Sequence, residues 1–166
     1  MINVFRVIWP LFHYFSGEFQ FSESYWKAYC QVNQLFKKAL ETLSITSSDI
    51  VWIHDYHLML LPLMIRNFYL IDCPKIGFFL HIPFPSSEVF RLLPTRVSIL
   101  EGIISSDLIG FHTHDYARHF VRSCEVLLPV TVTSQGIEFN GRCSKVSIYP
   151  VGIDPSLFCE VIPLLT

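Results

Sequence analysis

Continuous apolar runs alternate with helix-period stretches along this chain, and that alternation limits the available folds more than any other feature. Ile50–His54 (IVWIH) is β-branched and aromatic throughout, the pattern of a strand buried on both faces. Lys75–His81 (KIGFFLH), Asp107–Phe111 (DLIGF) and Lys145–Tyr149, which ends at Pro150, read the same way. Helical segments lie between them. Ser22 caps a helix running to about Leu43, with Tyr25, Tyr29, Val32, Phe36, Ala39, Leu40 and Leu43 on its apolar face. His57 to about Tyr69 is the next, with Pro62 tolerable only near the first turn. Ser86-Ser87-Glu88 opens a short helix, and Arg96–Ser105 and Thr113–Leu127 are two more. Thr131–Thr133 and Ile137–Phe139 read as a hairpin around Gly136. Strands alternating with helices predict βα units around a parallel sheet, an α/β fold.

The 166 residues suffice for one domain. Hydrophobic residues make up 51% and charged residues 16%, which excludes a disordered chain. A net charge of −2 leaves no basic stripe for nucleic-acid phosphates. Mean hydropathy is +0.42, so either a buried parallel sheet or exposed apolar surface is required. The longest apolar stretch, Leu58–Ile71, is interrupted by Pro62, Arg66 and Asn67, whereas a membrane span needs about 20 mostly apolar residues. The apolar N-terminus lacks the small-residue cleavage site of a signal peptide. Cys30, Cys73, Cys124, Cys143 and Cys159 form no CxxC pair and read as inert thiols of a cytoplasmic protein.

In open parallel sheets, ligands sit beyond the carboxyl ends of the strands. The residues just past those ends here are His54-Asp55-Tyr56-His57, then His81, then His112 and His114. Consecutive strands thus deliver ionisable groups to one edge, which a purely structural sheet does not need. Asp55 has two readings that spacing leaves open: an N-cap for the helix that follows, or a hydrogen-bond acceptor for a polyhydroxylated ligand. The histidines raise a metal site, but no HExxH or comparable signature is present. No GxSxG elbow supports a serine nucleophile, and Ser86-Ser87 reads as a helix cap. Asp55, Glu88 and Asp115 are available as paired carboxylates, at separations the sequence does not give. Neither GxGxxG nor GxxxxGK[ST] occurs. Composition favours Trp9 as part of an apolar element packed on the core, although an indole can also wall a sugar pocket.

Several stretches resemble trehalose-6-phosphate synthases: VWIHDYHLMLLP (51–62), GFFLHIPFPSSEVFR (77–91), SDLIGFHTHDYARHF (106–120) and YPVGIDP (149–155). WPLFHY (9–14) and Tyr25–Tyr29 followed by Val32-Asn33 also fit. The resemblance implies a retaining glycosyltransferase of the GT-B type, with two Rossmann-like domains facing across a cleft. Such enzymes transfer glucose from UDP-glucose to glucose 6-phosphate, giving α,α-trehalose 6-phosphate and UDP. The chemistry requires no metal or other cofactor, UDP-glucose being a substrate, and the donor phosphate takes the acceptor proton on the same face. By this resemblance Asp55 holds the acceptor sugar. Trp9 flanks the acceptor pocket and Ile82 stands opposite it. His81, the candidate catalytic residue, lies near the donor glucose.

The same resemblance implies that the family's first strand, glycine loop, acceptor-phosphate arginine and pocket tyrosine precede what is found here. Residues 1–155 then correspond to an incomplete N-terminal Rossmann-like domain, and 156–166 to a truncated C-terminal tail. The second domain, with its Arg/Lys pair for the diphosphate, has no counterpart. None of the twelve basic residues sits in a recognisable donor-binding motif. The expectation is a chain inactive by itself, with sheet edge and apolar surface exposed. The alternative is a non-catalytic regulatory or binding module that associates with a full-length synthase.

Overall fold

The computed structural model describes residues 7–15 and 21–155. Cys159 and the expected 156–166 tail lie outside the described residues. The elements are α1 (Ile8–Phe12), α2 (Glu23–Glu41), β1 (Ile50–His54), a 3₁₀ turn (Tyr56–Leu58), α3 (Leu61–Phe68), β2 (Lys75–Leu80), α4 (Ser87–Phe90), α5 (Arg96–Ile103), β3 (Leu108–Phe111), α6 (His114–Leu127), β4 (Thr131–Val132), β5 (Ile137–Phe139) and β6 (Arg142–Ile148). They build one α/β sheet in the order β1-β2-β3-β6-β5-β4. β1, β2, β3 and β6 are parallel, with Ile53 opposite Phe78, Phe78 opposite Ile109 and Ile109 opposite Val146. β5 and β4 add an antiparallel flank.

Each run of β-branched and aromatic residues became a strand, but the expected burial on both faces does not hold. Parallel strands laid side by side in chain order need crossovers of one hand, and right-handed crossovers put every connecting helix on the same face. That face carries the core: Ile53, Ile76, Phe78, Leu80, Ile109 and Phe111 pack with Leu61, Ile65, Ile99, Ile103 and Phe120 from the helices. Among the described residues the opposite face has no covering layer, leaving Ile50 76% and Trp52 67% exposed. β1 is also an edge strand among the described residues, paired with β2 alone.

Other boundaries moved for local reasons. The segment from His57 begins as a 3₁₀ turn, and α3 starts at Leu61, which puts Pro62 in the first turn where its missing N–H costs nothing. On α2 the face that packs inward centres on Tyr29 and Asn33, while Phe36 and Leu43 are exposed. α1 forms despite Pro10, which its first turn tolerates. β6 begins earlier than the apolar pattern suggested, because Asn140 (φ 49°) and Gly141 (φ 74°) turn the chain and Ile137 then pairs with Ser144. Gly136 takes φ 155°, and a Cβ there would stand 2.4 Å from the Ser144 carbonyl oxygen.

Ion pairing ties the opposite end of the sheet. The Asp107 carboxylate accepts from the Ile76 amide at 2.7 Å, from the Arg66 guanidinium and from Arg142 at 3.1 Å. Arg66 also donates to the Ser105 and Pro74 carbonyls. Among the described residues, no helix is long and apolar enough to cross a membrane.

Candidate functional site

The carboxyl ends of β1, β2 and β3 carry the ionisable residues that the strand pattern placed there. His54 ends β1, and its Nδ1 stands 2.9 Å from Nε2 of His81, just past β2. The His81 ring lies 5.6 Å from that of His112, just past β3. Phe79 packs against both His81 and His112. Partial burial of the His81 ring holds its imidazole below the usual histidine range; Asp55 opposes that effect, and His54 and His112 reinforce it. His112 Nδ1 is buried without a hydrogen-bond partner. His114 instead opens α6.

Asp55 does not cap a helix with its side chain. It precedes the 3₁₀ turn, yet its carboxylate makes no capping bond. Its Oδ1 accepts from the His81 amide at 3.3 Å, and its own amide donates to the Phe79 carbonyl at 2.8 Å. The backbone sits at φ 69° and ψ 175°, a region that glycine alone adopts freely and that costs other residues about 1–3 kcal/mol. Of the two readings left open by spacing, the geometry removes the cap. A carboxylate held in a strained conformation past the carboxyl end of a parallel strand makes Asp55 a candidate functional residue.

The loop that holds Asp55 is fixed from beneath by α2. The buried Tyr29 hydroxyl donates to the Tyr56 carbonyl at 2.8 Å and accepts from the Met59 amide at 3.0 Å. Asn33 donates to the His57 carbonyl at 3.1 Å. From the other side α5 closes in so tightly that a Cβ on Gly102 would lie 2.1 Å from the Met59 carbonyl oxygen. Tyr29 was visible in the sequence as a position on the apolar face of a helix, and Asn33 only within a stretch of family resemblance. Two polar groups four residues apart on such a face are the signal for a buried role.

Trp9 on α1 reaches the same loop. Its ring lies 5.7 Å from that of Tyr56, the residue after Asp55, and 3.9 Å from that of His13. Trp9 is 38% exposed, so the indole borders solvent at this edge. Tyr56 is buried, and burial together with the Asp55 charge pushes its phenol up to about 12, which keeps it neutral. Ile82, next to His81, is 6% exposed and shares an apolar cluster with Tyr56, Ile8 and Phe12. The structure thus brings Trp9, Asp55, His81 and Ile82 to one end of the sheet. Tyr14, not singled out in the sequence, accepts from the Ser86 amide at 3.0 Å.

The other candidate carboxylates have local partners. Asp115 pairs with Arg118, and Glu88 accepts from Ser87, so each candidate carboxylate beside Asp55 is held by its own neighbour. Among the described residues no group of His, Cys, Asp or Glu is arranged to hold a metal ion. The bare sheet face below the histidines forms a groove of about 690 Å³ that Trp52, Phe79, Tyr149 and Val151 help to line. Among the described residues no Lys, Arg, Asp or Glu lines it.

Comparison with known proteins gives this geometry a context. The family model for glycosyltransferase family 20 matches residues 4–163. The α,α-trehalose-phosphate synthase [UDP-forming] of Botryotinia fuckeliana is 51% identical over 158 residues, covering 94% of this chain and 30% of that protein. The E. coli trehalose-6-phosphate enzyme structure bound with UDP-2-fluoro glucose superimposes with a TM-score of 0.83 at 35% identity, over 95% of this chain and 36% of that one. The α,α-trehalose-phosphate synthase (UDP-forming) of Burkholderia xenovorans in complex with glucose-6-phosphate gives 0.82 at 31% identity, over 96% and 35%. The chain therefore spans about a third of the length of the proteins it matches.

Proposed function

The chain belongs to glycosyltransferase family 20, and on that premise we propose that it forms the acceptor-facing part of a synthase joining glucose from UDP-glucose to glucose 6-phosphate, with α,α-trehalose 6-phosphate and UDP as products. The observation that carries this reading is Asp55. Its carboxylate is held at the sheet edge in a strained backbone, free of the capping bond that would explain it structurally. A carboxylate so placed accepts hydrogen bonds from sugar hydroxyls, and a fixed acceptor lets a glycosyl acceptor approach in one orientation. Trp9 and Ile82 bound the acceptor sugar sterically, and His81 lies on the donor side. UDP-glucose enters as a substrate, and a cytoplasmic location suits both substrates.

A diphosphate leaving group requires positive or N–H donors around its developing charge. Among the described residues no Lys or Arg lines the groove, which His54, His81 and His112 help to line; in this reading the remaining donors belong to the rest of an enzyme of the relatives' length. The bare sheet face and the free edge of β1 are, in this reading, the surfaces on which the remainder of an enzyme of the relatives' length rests.

A chimera tests the proposal. Residues 7–155 replace the matching stretch of the Botryotinia fuckeliana enzyme, and UDP release is followed with and without glucose 6-phosphate. The expected result is UDP release that depends on glucose 6-phosphate. A folded chimera that ignores the acceptor would overturn it.

A further inference from the structure

We propose that His54 is a positioning residue for His81, fixing the orientation and the tautomer of its ring through the Nδ1–Nε2 hydrogen bond. Two imidazole nitrogens 2.9 Å apart hold a single proton between them, because one must donate and the other must offer a lone pair. While the bond exists, Nε2 of His81 is committed to His54. The state of Nδ1, the nitrogen left for a ligand, is then set by which partner carries the shared proton. Packing holds both rings in register. Trp52 stacks on His54 at 4.8 Å between ring centres, and His54 lies against His81 at 5.2 Å. Phe79 also contacts His81, at 4.6 Å between ring centres. The titratable groups facing His81 are His54, His112 and Asp55, and of these His54 is the one bonded to its ring.

A neutral imidazole of fixed tautomer presents one defined donor or acceptor to a sugar hydroxyl, whereas a freely exchanging one presents either. His54 thereby decides which polarity His81 offers at the sheet edge. The inference rests on His81 facing a ligand, as proposed above.

The test reads the ring directly in the 166-residue chain, without substrate. Long-range ¹H–¹⁵N spectra report the tautomer of His81, and a ¹⁵N–¹⁵N coupling across the hydrogen bond reports the pairing. The wild-type chain should show the coupling and two well-separated His81 ring nitrogen shifts. His54→Phe should lose the coupling and bring the two shifts together, while His54→Asn, whose amide sits near the position of Nδ1, should restore the separation. Absence of the coupling in the wild-type chain would overturn the proposal, and so would His81 ring shifts unmoved in His54→Phe. The wild-type coupling decides even if the variant unfolds. A missing coupling leaves the ligand role of His81 standing. An unchanged rate for His81→Ala in the chimera removes that ligand role and leaves the hydrogen bond standing, so the two failures are distinguishable.

Discussion

The Tyr29 hydroxyl donates to the Tyr56 carbonyl at 2.8 Å across 27 residues of sequence. The same oxygen accepts from the Met59 amide, so one phenol satisfies two backbone groups of the loop that carries Asp55. Burial pushes the Tyr29 phenol well above the usual tyrosine range, and it stays protonated at any ordinary pH. Tyr29→Phe removes both hydrogen bonds, at a cost of about 0.5–1.5 kcal/mol for each. Denaturant unfolding should show that loss, with faster hydrogen exchange at Met59. Unchanged stability would mean that water replaces the hydroxyl.

Strain at Asp55 has a measurable consequence. Its φ of 69° is one that glycine adopts freely, so Asp55→Gly should be more stable than Asp55→Ala by about 1 kcal/mol once the added chain entropy of glycine is set against the relief. A helix cap predicts that both variants lose stability through the missing side-chain bond. Because a cap also favours glycine over alanine, the separating comparison is Asp55→Gly against the wild type: relief of strain leaves its unfolding midpoint at or above the wild-type value, and loss of a cap puts it below.

Asp107 links stability to acid. Burial works against its charge but is outweighed by the Ile76 amide and the Arg66 guanidinium, and the carboxyl is held below the usual aspartate range. A depressed folded pKa contributes stability above the unfolded value, and that contribution is lost as pH falls through the folded value. Stability should therefore decline below about pH 4, near the ordinary aspartate pKa. Asp107→Asn should flatten part of that decline and cost roughly 1.5–3 kcal/mol at neutral pH, the range for hydrogen bonds to charged groups. Equal acid slopes for the two proteins would show that other carboxylates control the transition.

The bare sheet face should make the chain adhesive. Contiguous exposed apolar surface and an open strand edge both promote association. Sedimentation of the purified chain should be concentration-dependent, and Trp52→Lys, at a position 67% exposed, should weaken that dependence while changing stability by no more than about 0.5 kcal/mol. A wild-type chain that stays monomeric at every concentration would contradict this.

Local patterning made the strands and most helices legible, because runs such as IVWIH and KIGFFLH admit few other conformations. The strand ends were legible too, and His54, His81 and His112 meet where the alternation placed them. Exposure of Ile50 and Trp52 was not readable from residues within β1, since it follows from strand order and crossover hand; the expectation of exposed sheet edge and apolar surface came from the family resemblance alone. The Asn140-Gly141 turn was readable in principle, as that dipeptide is a strong hairpin signal. Its effect was hidden by the polar start of β6. The choice between cap and ligand group at Asp55 needed the dihedral angle, which no spacing gives. Trp9, Asp55, His81 and Ile82 were assigned through family resemblance, and the structure supplies their common location at one end of the sheet.

The most direct measurement is the acceptor kinetics of the chimera with and without Asp55→Ala. A sugar-hydroxyl acceptor lost from a fixed site leaves its partner unpaired, so kcat/KM for glucose 6-phosphate should fall roughly tenfold or more, in line with about 1–3 kcal/mol for an unsatisfied group. The KM for UDP-glucose should stay within about twofold of the unmutated chimera, the scatter of contributions below 0.5 kcal/mol. An unchanged kcat/KM for glucose 6-phosphate in a folded variant would show that Asp55 does not hold the acceptor.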